Sequence, residues 1–206
     1  MEEHSLFITC FRLKQRERND NYMKIKWIKK FLGLAENPRE AELKYLKDQG
    51  LQIGENLRNH SDYAFDSLFP WLISVGDNVC ISSNVKILAH DTSTEYVNGY
   101  TKIGVVEIGN NVYIGYNVTI LCNVRIGSDV IIGAGSVVTS DIPSGSVFAG
   151  NPARYICDID TFRKKHNANL EDHLIFDGPC SRWHQLGKVE KNKMKNELMD
   201  SFGYMK

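Results

Sequence analysis

The chain has 206 residues, 42% of them hydrophobic, and its 25 Lys and Arg balance its 25 Asp and Glu. That length supports one sizeable core with small flanking elements, and a formal net charge of zero lacks the basic footprint of a general nucleic-acid binder. The five cysteines, Cys10, Cys80, Cys122, Cys157 and Cys180, are odd in number and form no C-x-x-C pair, which argues for a reducing compartment and against a disulfide scaffold or a thiolate metal site. The apolar stretch at residues 6–11 is too short for a signal-peptide core and follows acidic residues, and no apolar run approaches a membrane span. A cytoplasmic, soluble protein is expected.

Three parts follow one another along the chain. Residues 1–50 have helical character: 22–34 are rich in Lys and apolar residues, and Asn37-Pro38 opens a second helix over 39–48. Pro38 suits a first helical position and Gly50 a stop. Residues 51–153 are rich in Val, Ile, Gly and Asn. Residues 154–206 return to Lys, Glu, His and Asn and read as helices and loops, with 188–198 the clearest helix.

The middle part repeats every six residues. From Ile108 it reads IGNNVY, IGYNVT, ILCNVR, IGSDVI, IGAGSV, VTSDIP. An aliphatic residue leads every unit (Ile108, Ile114, Ile120, Ile126, Ile132, Val138), and a second small or aliphatic residue falls four places on (Val112, Val118, Val124, Val130, Ser136, Ile142). Glycines often follow the leading residue, where φ freedom or close approach is needed, and Asn or Asp fills the next places as turn residues do. Upstream, VGDNVC, ISSNVK and ILAHDT keep the pattern from Val75, and a partial copy, IGENLR, starts at Ile53. This period fits neither a helix nor long alternating strands. It fits short strands joined by corners, three to a coil of roughly 18 residues, with the leading residues stacked inside. The predicted fold is mainly β: a parallel β-helix with helical N- and C-terminal flanks.

The repeat resembles the hexapeptide-repeat acyltransferases, in the branch with galactoside, maltose and surface-polysaccharide O-acetyltransferases. The resemblance covers residues 51–155 and is most specific over IGAGSVVTSDIPSGSVFAGNPAR, residues 132–154. It implies that the β-helix is left-handed, a sense the period alone does not give, and that the protein is a homotrimer. It also implies an acetyl-CoA-dependent O-acetyltransferase acting on a sugar or surface-polysaccharide precursor.

The repeat breaks after Ile87 and resumes at Ile108, a gap that is not a multiple of six, so residues 92–107 are expected to leave the coil as a loop. His90, in ILAHDT, stands immediately before it. A neutral imidazole suits removal of a proton from an acceptor hydroxyl at physiological pH, and the resemblance implies the same catalytic role for His90. A turn histidine without chemistry is the competing reading. Asp91 and Asp66 are the candidates to orient His90 or hold the acceptor; Asp66 would act from a neighbouring coil or subunit. Tyr63, Phe65, Phe69 and Trp71 are candidates for a sugar-stacking surface or for cap and core positions. The resemblance implies donor contacts at Tyr113, Gly115, Tyr116, Ala134, Gly135, Thr139 and Ser140, and at Arg154 for the nucleotide end. Ser140 stands where relatives often carry Lys. No metal site is expected, since a zinc hydratase on this fold needs about three converging histidines and the repeat offers one. Other readings are a non-catalytic β-helix, an acetyltransferase for an amino-sugar amine or small xenobiotic alcohol, and peripheral membrane contact through residues 22–34. A nucleotidyltransferase with an appended β-helix has no room for its nucleotide-binding domain.

Overall fold

The structure is a computed structural model that describes residues 38–59, 64–177 and 185–205. Residues 22–34, Tyr63, Cys10 and Cys180 therefore lie outside the described residues. Helix α1 (Pro38–Asp48) opens the described chain. Gly50 then turns it, at φ +104, where an added Cβ would sit 2.8 Å from the Trp71 Cβ. Both the left-handed backbone and the close approach require glycine there.

The next four coils each carry three short strands. The first holds β1 (Gln52–Ile53), β2 (Arg58–Asn59) and β3 (Ala64–Phe65). The second holds β4 (Ile73–Val75), β5 (Cys80–Ile81) and β6 (Lys86–Ile87). An excursion follows, with β7 (His90–Asp91), a 3-10 turn (Thr92–Thr94), α2 (Glu95–Asn98) and β8 (Lys102–Ile103). The third coil holds β9 (Val106–Ile108), β10 (Tyr113–Ile114) and β11 (Thr119–Ile120), and the fourth β12 (Val124–Ile126), β13 (Ile131–Ile132) and β14 (Val137–Val138). Corresponding strands pair in parallel to make three sheets, in the orders β1-β4-β9-β12, β2-β5-β10-β13 and β3-β6-β11-β14. Such a stack satisfies each coil's backbone through its neighbours and leaves side chains to alternate in and out.

The register measures how far each coil departs from three hexads. Ile108 pairs with Ile126, a step of 18 residues. Val75 pairs with Ile108, a step of 33, so the excursion adds fifteen. Ile53 pairs with Val75, a step of 22, and the four added residues make room for a 3-10 turn at Pro70–Leu72. The chain re-enters the coil at Val106, which is fully buried. Val106 and Glu107, expected in the loop, thus belong to a strand, and the excursion ends two residues earlier than the hexad count suggests.

The leading residues form the core as expected. Ile81, Ile87, Ile114, Ile120 and Ile132, with Val79, Val85, Val112, Val118 and Val124, are each at most 1% exposed. Burying each such side chain is worth about 1.5–3 kcal/mol. Ser136 takes a valine position, and its hydroxyl is satisfied twice: Oγ donates to Gly133 O at 2.6 Å and accepts from Gly150 N at 3.0 Å. The corners assign left-handed backbone to the fourth residue of the hexad, not to the glycine at the second. Asn56, Asn78, Asn84, Asn111, Asn117, Asn123 and Asp129 all have φ between 56° and 61°. Asn and Asp tolerate that region better than other side chains. Along one corner their amides form a ladder, Asn56 to Asn78 at 3.1 Å, Asn78 to Asn111 at 3.2 Å and Asn111 to Asp129 at 3.3 Å.

Beyond the coils, β15 (Ser146–Ala149) extends the second sheet in parallel, and β16 (Arg154–Asp158) closes its edge antiparallel. The Asp158 carboxylate caps α3 (Ile159–Asp172), accepting from Thr161 N and Oγ1, both at 2.7 Å. The C-terminal part contains more than helices and loops. Strand β17 (Leu174–Phe176) pairs in parallel with β18 (Gly203–Met205), and α4 (Lys188–Glu197) lies between them in sequence. A three-residue run carries no readable period, and its partner stands 29 residues away, so the pairing escaped the sequence reading. Among the described residues no helix is long and apolar enough to cross a membrane.

Candidate active site

The third sheet ends in a corner where the coil meets the excursion, and His90 stands there. Strand β7 pairs antiparallel with β8, with His90 opposite Ile103. Gly104 N donates to Ala89 O at 3.0 Å and returns the chain to the coil. Within the excursion the Thr94 hydroxyl donates to Tyr100 O at 2.6 Å and accepts from Lys102 N at 2.9 Å. The loop is therefore tied to itself as well as to the coil. His90 keeps 21% of its side chain exposed while its backbone is fixed by the ladder.

Asp66 lies one coil earlier on the same corner, just after β3, and its side chain is 1% exposed. Strand β3 pairs with β6, so both groups come from one chain and adjacent coils. Oδ2 of Asp66 meets His90 Nδ1 and also accepts from Ala89 N at 2.9 Å. Oδ1 accepts from Leu68 N at 2.9 Å and Phe69 N at 3.3 Å. A buried carboxylate needs such partners. With the Nδ1 proton held by Asp66, the neutral ring presents Nε2 as an acceptor. Of the two carboxylates weighed from the sequence, Asp66 holds the ring. Asp91 is turned to the loop and caps the 3-10 turn by accepting from Ser93 N at 2.9 Å. Its hydrogen bonds to Ser93, aided by Lys102, hold its carboxyl below the usual carboxylate range.

The aromatic candidates divide. Phe65 is buried in the core. Phe69 is half-buried, its ring tilted against His90 with centroids 5.5 Å apart and edge-on to Trp71 at 5.6 Å. Trp71 is 50% exposed.

The donor candidates occupy two corners and one face. Tyr116, Ala134 and Gly135 stack on the corner between the second and third sheets, where Gly135 N donates to Tyr116 O at 2.8 Å. Gly115 is buried beside them, and an added Cβ would lie 2.6 Å from Ala134 N, so close approach of two backbones explains this glycine. Thr139 and Ser140 are exposed after β14, on the same corner of the coil as His90 but two coils further on. Tyr113 faces outward on the second sheet, and its hydroxyl meets Ser82 Oγ at 3.3 Å. Arg154 is exposed at the start of β16, donating to Ala153 O at 3.1 Å. The structure thus joins His90 with Asp66 and Phe69, sets Trp71 against Phe69, and leaves Tyr113 and Arg154 on another sheet. What sequence reasoning missed is the Ala89 amide, which shares the carboxylate oxygen that holds His90.

Cys80, Cys122 and Cys157 are free thiols, and none has a histidine as a described partner. Among the described residues no group of three His, Cys, Asp or Glu converges on a metal position. A groove of about 590 Å³ runs over the first sheet, but its lining, which includes Glu107, Arg125 and Asp141, does not include His90. Arg125 donates to Glu107 there at 2.9 Å.

Stacked hexapeptide coils with an imidazole and a carboxylate at a coil–loop junction define a β-helical protein with the parts of a proton-transfer site. Residues 106–140 match the family model described as bacterial transferase hexapeptide (six repeats). Over 106 residues the chain is 46% identical to a Bacillus subtilis (strain 168) protein named "Putative acetyltransferase YvoF", covering 52% of this chain and 59% of that one. It is 39% identical to galactoside O-acetyltransferase of Escherichia coli (strain K12), covering 56% and 57%. The alignment to each of these relatives spans less than two thirds of the relative's length. A solved maltose O-acetyltransferase from Clostridium difficile 630 is 31% identical, with 71% of this chain and 87% of that chain covered and a TM-score of 0.48. The chain belongs to the hexapeptide-repeat acyltransferase family, and its fold is the left-handed parallel β-helix.

Proposed function

We propose that this chain transfers an acetyl group from acetyl-CoA to a hydroxyl of a sugar or surface-polysaccharide precursor. The observation that carries the reading is the His90–Asp66 pair, built on rigid coils at the mouth of the excursion. His90 Nε2 accepts the proton of the acceptor hydroxyl as the oxygen attacks the thioester carbonyl. The carbon–sulfur bond then breaks, and the imidazolium returns the proton to the departing CoA thiolate. Asp66 fixes the tautomer and stabilises the imidazolium. Main-chain N–H groups hold the oxyanion, and no acyl-enzyme forms. At the corner they share with Tyr116, Ala134 and Gly135 offer small side chains and main chain to the pantetheine arm, with Tyr116, Gly115, Tyr113, Thr139, Ser140 and Arg154 as its further contacts. The family resemblance and the galactoside and maltose O-acetyltransferase relatives favour a sugar acceptor. The assembly is a homotrimer in the cytoplasm, and light scattering that gives a monomer mass contradicts this.

The test is an acceptor screen with acetyl-CoA, reading free thiol and identifying the product by mass. A glycoside that gains one acetyl group supports the reading. Thiol release with no acetylated acceptor, or none with any hydroxyl acceptor, overturns it.

A further inference from the structure

Asp66 does two structural jobs with two different oxygens. Oδ2 holds His90, and Oδ1 accepts from Leu68 N and Phe69 N. Those two amides begin the turn that becomes the 3-10 segment Pro70–Leu72, where Leu72 N donates to Phe69 O at 3.0 Å. This is the segment that adds four residues to the coil. The added residues bring Phe69 against the imidazole and set Trp71 edge-on against the Phe69 ring. Trp71 is anchored at its base, because its Cβ packs over Gly50 with no room for a side chain there. Its ring nevertheless stays half exposed. A large apolar ring anchored at its base, packed on Phe69 and half exposed one ring away from a proton acceptor is a surface suited to an apolar face.

We infer that Trp71, wedged by Phe69, is the residue that stacks on the C–H face of a pyranose ring and sets which acceptor hydroxyl meets His90. This rests on the acetyl-transfer reading for the reaction but not for the binding. Pyranose rings suit the surface because one face presents C–H groups to an aromatic plane while the hydroxyls point outward. The centroid distances of 5.6 and 5.5 Å place the Trp71 ring within about 11 Å of the imidazole, a reach that a glycoside spans and a small alcohol does not. Trp71 is therefore a specificity-determining residue, and the turn that presents it is positioned by the carboxylate that positions the base.

The experiment compares wild type, Trp71→Ala and Trp71→Phe. Methyl galactoside, methyl glucoside and glycerol are the acceptors, and acetyl-CoA binding is measured by calorimetry as a control on folding. For the glycosides, KM is expected to rise roughly ten-fold or more in Trp71→Ala, the scale of losing an aromatic anchor, with partial recovery in Trp71→Phe. Glycerol turnover and acetyl-CoA affinity are expected to stay within about two-fold. Equal glycoside KM in wild type and Trp71→Ala, or equal losses for glycerol and glycosides, overturns the inference. Glycoside binding without acetyl-CoA, read by calorimetry, separates the two claims. Wild type that binds a glycoside through Trp71 but never releases CoA overturns the reaction and supports the platform. Wild type that binds none of the glycosides overturns the platform.

Discussion

Replacing Asp66 by Asn changes one oxygen to an NH2 group and leaves shape almost untouched. The Asn has two ways to sit. With NH2 in place of Oδ2, it donates to His90 Nδ1 and faces the Ala89 amide, which loses the acceptor it has at 2.9 Å in the wild type. With NH2 in place of Oδ1, it opposes two amides, those of Leu68 and Phe69. The first placement loses one backbone hydrogen bond and the second loses two, so the first is favoured. It moves the ring proton to Nε2 and removes the base. The expected outcome is a fall in kcat of roughly 10²–10⁴, the range for a misassigned tautomer or lost general base. Leaving one buried amide unsatisfied costs about 1–3 kcal/mol of stability, which urea unfolding reads separately. The assay is initial-rate CoA release at saturating acetyl-CoA, with acetyl-CoA affinity checked by calorimetry. A folded Asp66→Asn protein whose kcat lies within a few-fold of wild type refutes this account of His90.

Four further outcomes follow from the same structure. Asp91→Asn keeps an acceptor for Ser93 N, so kcat is expected to stay within about two-fold, measured in the same assay. Ile114→Ala empties a fully buried place in the third coil and is expected to cost about 2–5 kcal/mol in chemical unfolding. Gly115→Ala drives a Cβ into the Ala134 backbone, which cannot swing aside; a stability loss of about 1–3 kcal/mol is expected, with weaker acetyl-CoA binding by calorimetry. The backbone and hydroxyl hydrogen bonds from Thr161 hold the Asp158 carboxyl below the usual carboxylate range. Its contribution to α3 is thus present above the unfolded-state value near about 4 and is lost as pH falls through the lower folded value. Circular dichroism on acidification is expected to show helix loss that is reduced in Asp158→Asn.

The repeat made the coil legible because each unit restates the same inward pair, as at Ile114 and Val118. His90 was legible for the opposite reason, since it stands where the six-residue count fails. Its partner was not. Asp66 and Asp91 were equal candidates in sequence, and the choice depends on a register that the four added residues at the Pro70–Leu72 turn displace. No period encodes such an insertion. The sequence allows the glycines either φ freedom or close approach, and the structure selects close approach at Gly115. The left-handed backbone went to asparagines such as Asn111 and Asn117, whose side chains also bond from coil to coil. The β17–β18 pair depends on tertiary contact across α4, which short apolar runs do not announce.

The most direct test of the central claim is kcat for acetyl transfer in His90→Ala against wild type, at saturating acetyl-CoA and glycoside, with acetyl-CoA affinity measured on the same preparations. A loss of roughly 10²–10⁴ in kcat is expected, with donor affinity unchanged. Turnover equal to wild type in a variant that binds acetyl-CoA normally contradicts it.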